Sequence, residues 1–413
     1  MRSPRVPVLL RDTVFRRYWS GSTISMFGDQ ISGLALPLAA VIALRVSAAQ
    51  MGYLTALEWL PSLLFGLPAG AWVDRRGRRR QTMIAADLAR ALLFASIPVC
   101  YALGALTLVQ LYLVTFGAGL ASIVFGVSDA TLFVSIVPPE QYLDGQSLLY
   151  GSRSLSFVGG PAVAGILVEV FSAPFTIAAD ALSFLGSALF LSRIRPAEPP
   201  ADTEDSSILG GARYIARSGI VRGSLVAVAI VNGFYLMFNA LYLLYAVRVL
   251  HIRPGVVGVL MGAAALGALL GSVVAKRAAG RIGAGWVYTL GCLLYTAPLA
   301  GWPLARGSLP VLLAILFVAE FTSGFGLMLL DISIGAIFAA VIPARLRSRV
   351  MGAFQAVNYG TRPLGALAGG LLGTALGLRP ALWIAVAGGV TGALVLLLTP
   401  VPRYRLPEAD SPA

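Results

Sequence analysis

The chain has 413 residues, of which 58% are hydrophobic and 12% charged. A soluble globular domain carries about 25% charged residues, so this composition excludes a water-soluble fold and requires lipid as solvent. The net charge is +13, with Lys276 the sole lysine among 31 basic residues. The positive charges sit between apolar runs, so they read as topology determinants, and no nucleic-acid partner is expected.

Gly223 to Val247, Gly255 to Ala275 and Ala381 to Leu398 hold no charge, and each is near or above the ~20 residues that cross a bilayer core. Taken along the chain, twelve spans are predicted, at roughly 18–44, 51–73, 81–104, 107–136, 146–170, 173–192, 223–247, 255–275, 284–304, 309–335, 350–376 and 380–399. The first apolar run starts after Arg17 and is too long for a signal-peptide core. It reads as the first span, with no cleaved leader expected.

Six spans precede, and six follow, the stretch Arg193 to Arg222, which holds Pro196, Pro199, Pro200 and four acids, Glu198, Asp202, Glu204 and Asp205. Its second part, Ile208 through Arg222, has the makings of a short amphipathic surface helix. The expected architecture is therefore an all-α membrane protein with twelve transmembrane helices in two pseudo-symmetric six-helix bundles around a central cavity. Residues 1–192 form the first bundle, 193–222 a cytoplasmic linker, and 223–413 the second bundle with a short cytoplasmic tail.

Placing the N-terminus inside assigns 23 basic residues to cytoplasmic segments and 5 to outer loops, with Arg90, Arg153 and Arg362 inside spans. The positive-inside rule thus places both termini in the cytoplasm. Arg so outnumbers Lys that a high-GC bacterium, and hence a bacterial inner membrane, is the expected setting.

The halves repeat. At an offset of 201, Gly66, Gly70 and Asp74 fall on Gly267, Gly271 and Ala275, and Arg75-Arg76 on Lys276-Arg277. At an offset of 205, Gly119, Pro138, Gly160 and Gly165 fall on Gly324, Pro343, Gly365 and Gly370. Parallel repeats related by an axis along the membrane normal suit an alternating-access carrier.

The sharpest motif is Gly70-Ala-Trp-Val-Asp74-Arg75-Arg76-Gly77-Arg78-Arg79-Arg80, between spans two and three. Gly66 and Gly70 clear one helix face for close packing. Asp74 suits a neighbouring helix N-terminus, Gly77 permits a tight turn, and the arginines suit acids or lipid phosphates. This loop resembles the signature of the major facilitator superfamily. Further segments resemble its drug-exporter branch, with the macrolide and enterobactin exporters: Ser25-Met-Phe-Gly28-Asp29-Gln30, Ala35-Leu-Pro37, Ser152-Arg153-Ser154, Asp180-Ala-Leu-Ser-Phe184, Arg349-Val-Met-Gly352 and Asn358-Tyr-Gly-Thr-Arg362-Pro363. The resemblance implies a cytoplasmic gate at Gly70, Asp74, Arg75, Gly77 and Arg78. Two departures stand out. Proton-coupled exporters often carry an Arg in span four, and Thr107 to Val137 has no basic residue; the glycine-proline motif of span five keeps Gly160-Pro161 and Gly165 but has Ser156 and Ala164 where glycines are expected.

An ionisable side chain in the bilayer core costs a few kcal/mol and commonly serves the transport pathway. The candidates for proton coupling or substrate binding are Asp29, Glu58, Asp180, Glu320 and Arg362. Asp29 lies 12 residues past Arg17, roughly 18 Å along a helix, near mid-membrane. Arg362 suits either Asp29 or Glu320 as counter-ion. Structural roles compete: Asp87 and Arg90, three apart, can neutralise each other. Arg153 has Asp129 and Asp144 in range, Asp180 can cap or pair with a neighbouring helix, and Glu58 can stay hydrated near the outer surface. Asn232, Tyr235, Asn239 and Tyr242 recur on one face of span seven, so Asn232, Tyr235 and Asn239 are expected to line the cavity with Phe27, Gln30, Gln355 and Asn358; interhelical hydrogen bonding is the alternative.

No P-loop is present, so energy comes from a gradient or the substrate runs downhill. No cofactor or metal is expected, since His251 stands alone and Cys100 and Cys292 lie in separate apolar runs. His251 also lacks an acid four or five residues on, as a membrane acyltransferase would need, so no enzyme activity is expected. The expected function is secondary active export of a hydrophobic or amphipathic small molecule by proton antiport, with a narrow-specificity siderophore or metabolite transporter as the alternative. Expected partners are the small-molecule substrate, protons and membrane lipids, and the expected state is a monomer.

Overall fold

The computed structural model describes residues 8–196, 209–343 and 346–406. Among them there is no strand, and twelve long helical segments follow one another in the predicted order. The first six are α1 (Thr13–Leu38), α2 (Ala48–Arg76), α3 (Arg79–Ala102), α4 (Leu108–Ile136), α5 (Tyr142–Phe171) and α6 (Ala173–Ser192). A short α7 (Leu209–Arg217) precedes α8 (Gly219–Arg248), α9 (Pro254–Ile282), α10 (Ala284–Thr296), the one-turn α11 (Gly301–Leu304), α12 (Leu309–Val341), α13 (Arg347–Ala375) and α14 (Leu378–Val395).

The ends of these helices follow from local chemistry. Asp12 caps α1 by accepting from the Val14 and Phe15 amides at 2.6 and 3.2 Å, and Thr107 and Ser218 cap α4 and α8. Such caps satisfy amides that a helix start leaves unpaired. Pro37 lies two residues before a π-turn over Ala39–Ala43. Proline removes a ladder bond, and a local change of winding absorbs the loss. Pro298 and Pro303 likewise break the ninth span into α10, a 3₁₀ turn at Ala297–Ala300, and α11.

Nine of the described helices are long and apolar enough to cross a membrane on length and composition alone. The other three predicted spans are atypical for visible reasons. The second, in α2, carries Glu58, Pro61 and Pro68; the ninth is broken; the eleventh, in α13, carries Arg362 and is preceded in the same helix by Arg347 and Arg349. Leu92 is 74% exposed and Leu182 66%, both mid-helix, as expected of side chains solvated by lipid rather than water.

Contacts gather the chain into two compact units. Unit 1 comprises Met1–Val46, Leu57–Glu204 and Ile252–Val259; unit 2 comprises Ser47–Ala56, Asp205–His251 and Leu260–Ala413. The start of α2 therefore packs with the second half of the chain, and the start of α9 with the first. Glycine explains both placements. A Cβ on Gly52 would come within 2.7 Å of the Gly370 Cα, and one on Gly258 within 3.3 Å of the Ala162 Cα.

In unit 1, α1 packs on α5 and α6, and α3 on α4 and α6. Phe15, Tyr18, Met83, Leu132, Phe133 and Leu191 form a buried core at the end that carries the Arg75–Arg80 turn. There Arg17 and Arg80 donate to the Arg193 and Ile194 carbonyls at 2.6 and 2.7 Å, so cations close the C-terminal end of α6. In unit 2, α8 packs on α13 and α14, and α10 on α12. Its principal core holds Tyr288, Cys292, Phe338, Val350 and Phe354. A helix does form in the linker, but it docks on protein: Ile215 joins that core, and the Tyr214 hydroxyl donates to the Val341 carbonyl at 2.7 Å. The linker residues 197–208 lie outside the described residues.

The glycine repeat is used unequally. In unit 2, Gly324 would set a Cβ 2.8 Å from the Ala264 Cα, and Gly267 one 2.9 Å from the Phe325 amide, so α9 and α12 touch backbone to backbone. Gly66 and Gly70, predicted to pack closely, face open space among the described residues. The approach of α2 to α4 falls instead at Gly119, whose Cβ would lie 3.0 Å from the Pro61 ring.

Candidate functional site

The most polar place inside unit 1 is an ionic cluster midway along α1, α3 and α6. Arg90 lies 11 residues into α3 and Asp180 lies 12 residues before the end of α6. At 1.5 Å per residue both sit roughly 17 Å from the Arg75–Arg80 end. Arg90 is buried and donates to Asp87, one turn earlier, which is fully buried. The same guanidinium stands 3.9 Å from Asp29 on α1, whose side chain is 50% exposed. It reaches the Ser122 hydroxyl at 3.5 Å and lies over the rings of Phe125 and Phe184 at 4.6 and 4.2 Å. One fixed cation therefore serves two acids in different surroundings, one sealed and one open. The pairing of Asp87 with Arg90 is what their spacing anticipates.

Asp180 is fully buried beside this cluster, accepting from Ser183 at 2.9 Å. Its second carboxylate oxygen has no hydrogen-bond partner among the described residues. Gly28, the residue before Asp29, makes room for it: a Cβ there would overlap the Asp180 carboxylate and approach the Ser183 Cβ to 2.7 Å. Nearer the Arg75–Arg80 end, the buried Tyr18 hydroxyl donates to Asp129 at 2.7 Å. Arg153, for which Asp129 or Asp144 was the expected partner, lies over the Phe157 ring at 5.8 Å. Phe27 and Gln30 lie at the crossing of α1 and α5, against Gly159 and Gly160 respectively. Glu58 is exposed on α2.

Unit 2 holds a different arrangement. Glu320, half-buried and 11 residues into α12, accepts from the Trp302 indole at 2.8 Å. Trp302 meets Tyr242 and Phe238 edge-on at 5.5 and 6.4 Å, and those two rings stack at 5.8 Å. Tyr235 stacks on Tyr295 at 4.7 Å. Asn232 donates to Asn358 at 2.9 Å, joining α8 to α13, which is the interhelical alternative for that polar stripe. Asn239 is half-buried and Gln355 exposed. Arg362 lies over the Tyr359 ring at 5.1 Å and within electrostatic reach of Asp331 on α12.

Two acids here went unselected in the sequence. Asp331 follows Glu320 by 11 residues, about three helical turns, so both lie on one face of α12. Asp129, half-buried, is engaged through Tyr18, whose importance nothing in the local sequence signals. The Arg75–Arg80 turn forms as its glycine requires: Gly77 has φ +62° and α3 starts at Arg79. Arg76 lies 4.9 Å over the Trp72 ring, while Arg75 and Arg78 are exposed. The side chain of Asp74 lies outside the described residues. Neither cysteine is in a disulfide, and no cluster of His, Cys, Asp and Glu among the described residues has the makings of a metal site.

Twelve long helices, charges stranded at mid-helix and a glycine-arginine turn after the second helix define a multi-pass membrane transporter of the major facilitator type. Residues 3–412 match the family described as transmembrane secretion effector, and the chain belongs to that family. It is 29% identical over 410 residues to the multidrug efflux pump Tap of Mycobacterium tuberculosis, covering 93% of each chain. It is 24% identical over 181 residues to macrolide efflux protein A of Streptococcus pyogenes, covering 44% of each. Its fold matches the crystal structure of the nucleoside transporter NupG with a TM-score of 0.74 at 13% identity, covering 93% of this chain and 98% of that one.

Proposed function

We propose that this protein exports hydrophobic or amphipathic small molecules, cationic ones among them, across a bacterial cell membrane in exchange for protons. The observation that carries the reading is Arg90 shared between sealed Asp87 and open Asp29. Asp29 is the acid that exchanges the proton. While Asp29 is ionised, the guanidinium on α3 attracts α1. Once Asp29 is protonated that attraction is lost, and the Arg90–Asp87 pair persists within α3. Proton occupancy thereby biases the position of α1 relative to α3, which is the differential interaction an alternating carrier requires. Arg90 also presents its charge to Ser122 and Phe125 of α4, the span in which proton-coupled exporters often carry their own arginine.

Cargo recognition is assigned to unit 2. A carboxylate oriented by an indole N–H at the edge of packed aromatic rings suits an amphipathic cation, because charge attraction and ring faces act together. The multidrug activity named for the Tap relative supports a broad cargo range over a single siderophore or metabolite. The charge asymmetry of the loops supports cytoplasmic termini.

The test is transport in inverted membrane vesicles. An inside-acid gradient should drive accumulation of a fluorescent cationic dye, and Asp29→Asn should abolish it while the protein remains folded. Accumulation that survives collapse of the proton gradient would reject the coupling.

A further inference from the structure

At the far end of unit 1 from the Arg75–Arg80 turn lies a cavity of about 600 Å³ that the transport reading does not use. It opens where α1, α3 and α5 end and where α6 and α9 begin, and its lining includes Ile42, Arg45, Tyr101, Glu169, Ser172 and Arg253. Two features set it apart from an ordinary surface dimple. Arg45 and Ser172 both hold left-handed backbone, at φ +51° and +72°. Neither is glycine, so the surrounding packing must hold each in a backbone conformation that side chains rarely adopt. The second feature is charge. Arg45 and Arg253 are exposed, and among the described residues neither makes an ion pair or a side-chain hydrogen bond.

The nearby acid does not neutralise them. Glu169 accepts from the Gly255 amide at 3.0 Å, in the first turn of α9, so its charge is held against a helix N-terminus. Two guanidiniums and one engaged carboxylate leave the cavity with a net charge of about +1, suited to a monoanion. Its other walls are aliphatic and aromatic, with Tyr101 packed edge-on to Phe175 at 5.7 Å. Outside, Phe171 is 58% and Phe175 45% exposed, an apolar apron of the kind aromatic residues form at a membrane interface.

We infer that this cavity binds a phosphate monoanion, with a phosphodiester lipid headgroup as the species it fits best. Arg45 and Arg253 hold the phosphate, guanidinium forks being matched to that geometry, and the acyl chains lie over Phe171 and Phe175. Arg45 follows α1 and Arg253 precedes α9, so the ligand bridges two chain segments distant in sequence and stabilises their arrangement in unit 1.

The purified full-length chain in neutral detergent provides the test. Short-chain phosphatidylglycerol should raise its melting midpoint, and phosphatidylcholine should not. Each of Arg45→Gln and Arg253→Gln should weaken the effect about tenfold, as loss of one charge-assisted bond implies. A control pair, Arg248→Gln with Arg306→Gln, removes exposed arginines outside the cavity and should leave the effect intact. Protection by inorganic phosphate, lost in the same two variants, would support the anion site and assign it to free phosphate. Equal protection by both lipids, or equal loss in the control pair, would overturn the inference. Should the cavity variants not fold, photoactivatable phosphatidylglycerol on the wild-type chain decides: adducts on the peptides around Tyr101 and Ser172 support it, and adducts confined elsewhere overturn it.

Discussion

Arg90→Met is the most informative perturbation of the ionic cluster, because it removes one charge while keeping most of the buried volume. Its two acids should respond very differently. Asp87 is fully buried, and stripping a buried carboxylate of its counter-charge Arg90 costs about 3–5 kcal/mol. Asp29 stands 3.9 Å from the guanidinium, which at an effective dielectric of ~20 is worth about 4 kcal/mol before hydration. Its side chain is half exposed, however, and screened pairs of this kind contribute about 0–1 kcal/mol. Most of the loss therefore belongs to Asp87.

The double variant Asp87→Asn with Arg90→Met isolates that term. Replacing a buried pair with neutral groups of similar volume is close to neutral, so the double variant should recover most of the stability that Arg90→Met loses. Asp29→Asn alone should change stability little yet abolish proton-driven dye accumulation. The assay pairs thermal unfolding of the purified protein with vesicle transport of the same variants. A double variant no more stable than Arg90→Met would refute the assignment of the cost to Asp87. A melting loss in Asp29→Asn as large as that of Arg90→Met would refute the division between sealed and open acids.

Other positions give independent checks. Gly28→Ala drives a methyl into the Asp180 carboxylate and the Ser183 Cβ; overpacking of about 1–3 kcal/mol should appear as a lowered melting midpoint, recovered in part by adding Ser183→Gly. Trp302→Phe keeps a ring but removes the donor to Glu320; dye affinity should fall by about ten- to a hundredfold, from the ~1.5–3 kcal/mol of a charged hydrogen bond, while transport of an uncharged cargo stays unchanged. Gly77→Ala places a side chain at φ +62° and should cost about 1–2 kcal/mol, read as reduced yield and thermal stability without a change in dye affinity.

The twelve helices were legible because lipid demands runs of apolar length, and nothing else in a sequence looks like Gly223 to Val247. The three spans that fall short on composition show why hydropathy alone is incomplete. α2 and α13 carry charge, and Pro298 and Pro303 break the ninth span, yet each occupies its place because its neighbours pack on it. Sequence also marked Asp87, Arg90, Asp29, Asp180 and Glu320 as stranded charges, but not how they would be shared. Asp87 and Arg90 are one turn apart and readable as a pair. The approach of Asp29 to that pair depends on how α1 lies against α3, which no local pattern encodes. Trp302 as donor to Glu320, and Tyr18 as donor to Asp129, are tertiary contacts of the same kind.

The repeat sharpens what the charges mean. At offsets of 201 or 205, Asp29 falls on Ile230 or Phe234, Asp87 on Tyr288 or Cys292, and Arg90 on Gly291 or Tyr295. Asp180 falls on Ala381 or Ala385. In reverse, Glu320 falls on Gly119 or Thr115, Asp331 on Ala130 or Gly126, and Arg362 on Pro161 or Phe157. Glycines and prolines recur across the halves, whereas none of these mid-span charges does. A charge needed only to hold a six-helix unit together would be expected in both copies, since both share the same helix order. Each half instead replaces the other's ionic residues with neutral ones and still forms a packed core. The ionic cluster of unit 1 and the indole-held carboxylate of unit 2 therefore have no ionic counterpart in the other half at these offsets. On the proposed antiport reading, this asymmetry lets unit 1 handle the proton and unit 2 the cargo, so Glu320→Gln should lower dye affinity while leaving the stability of the Arg90–Asp87 pair unchanged.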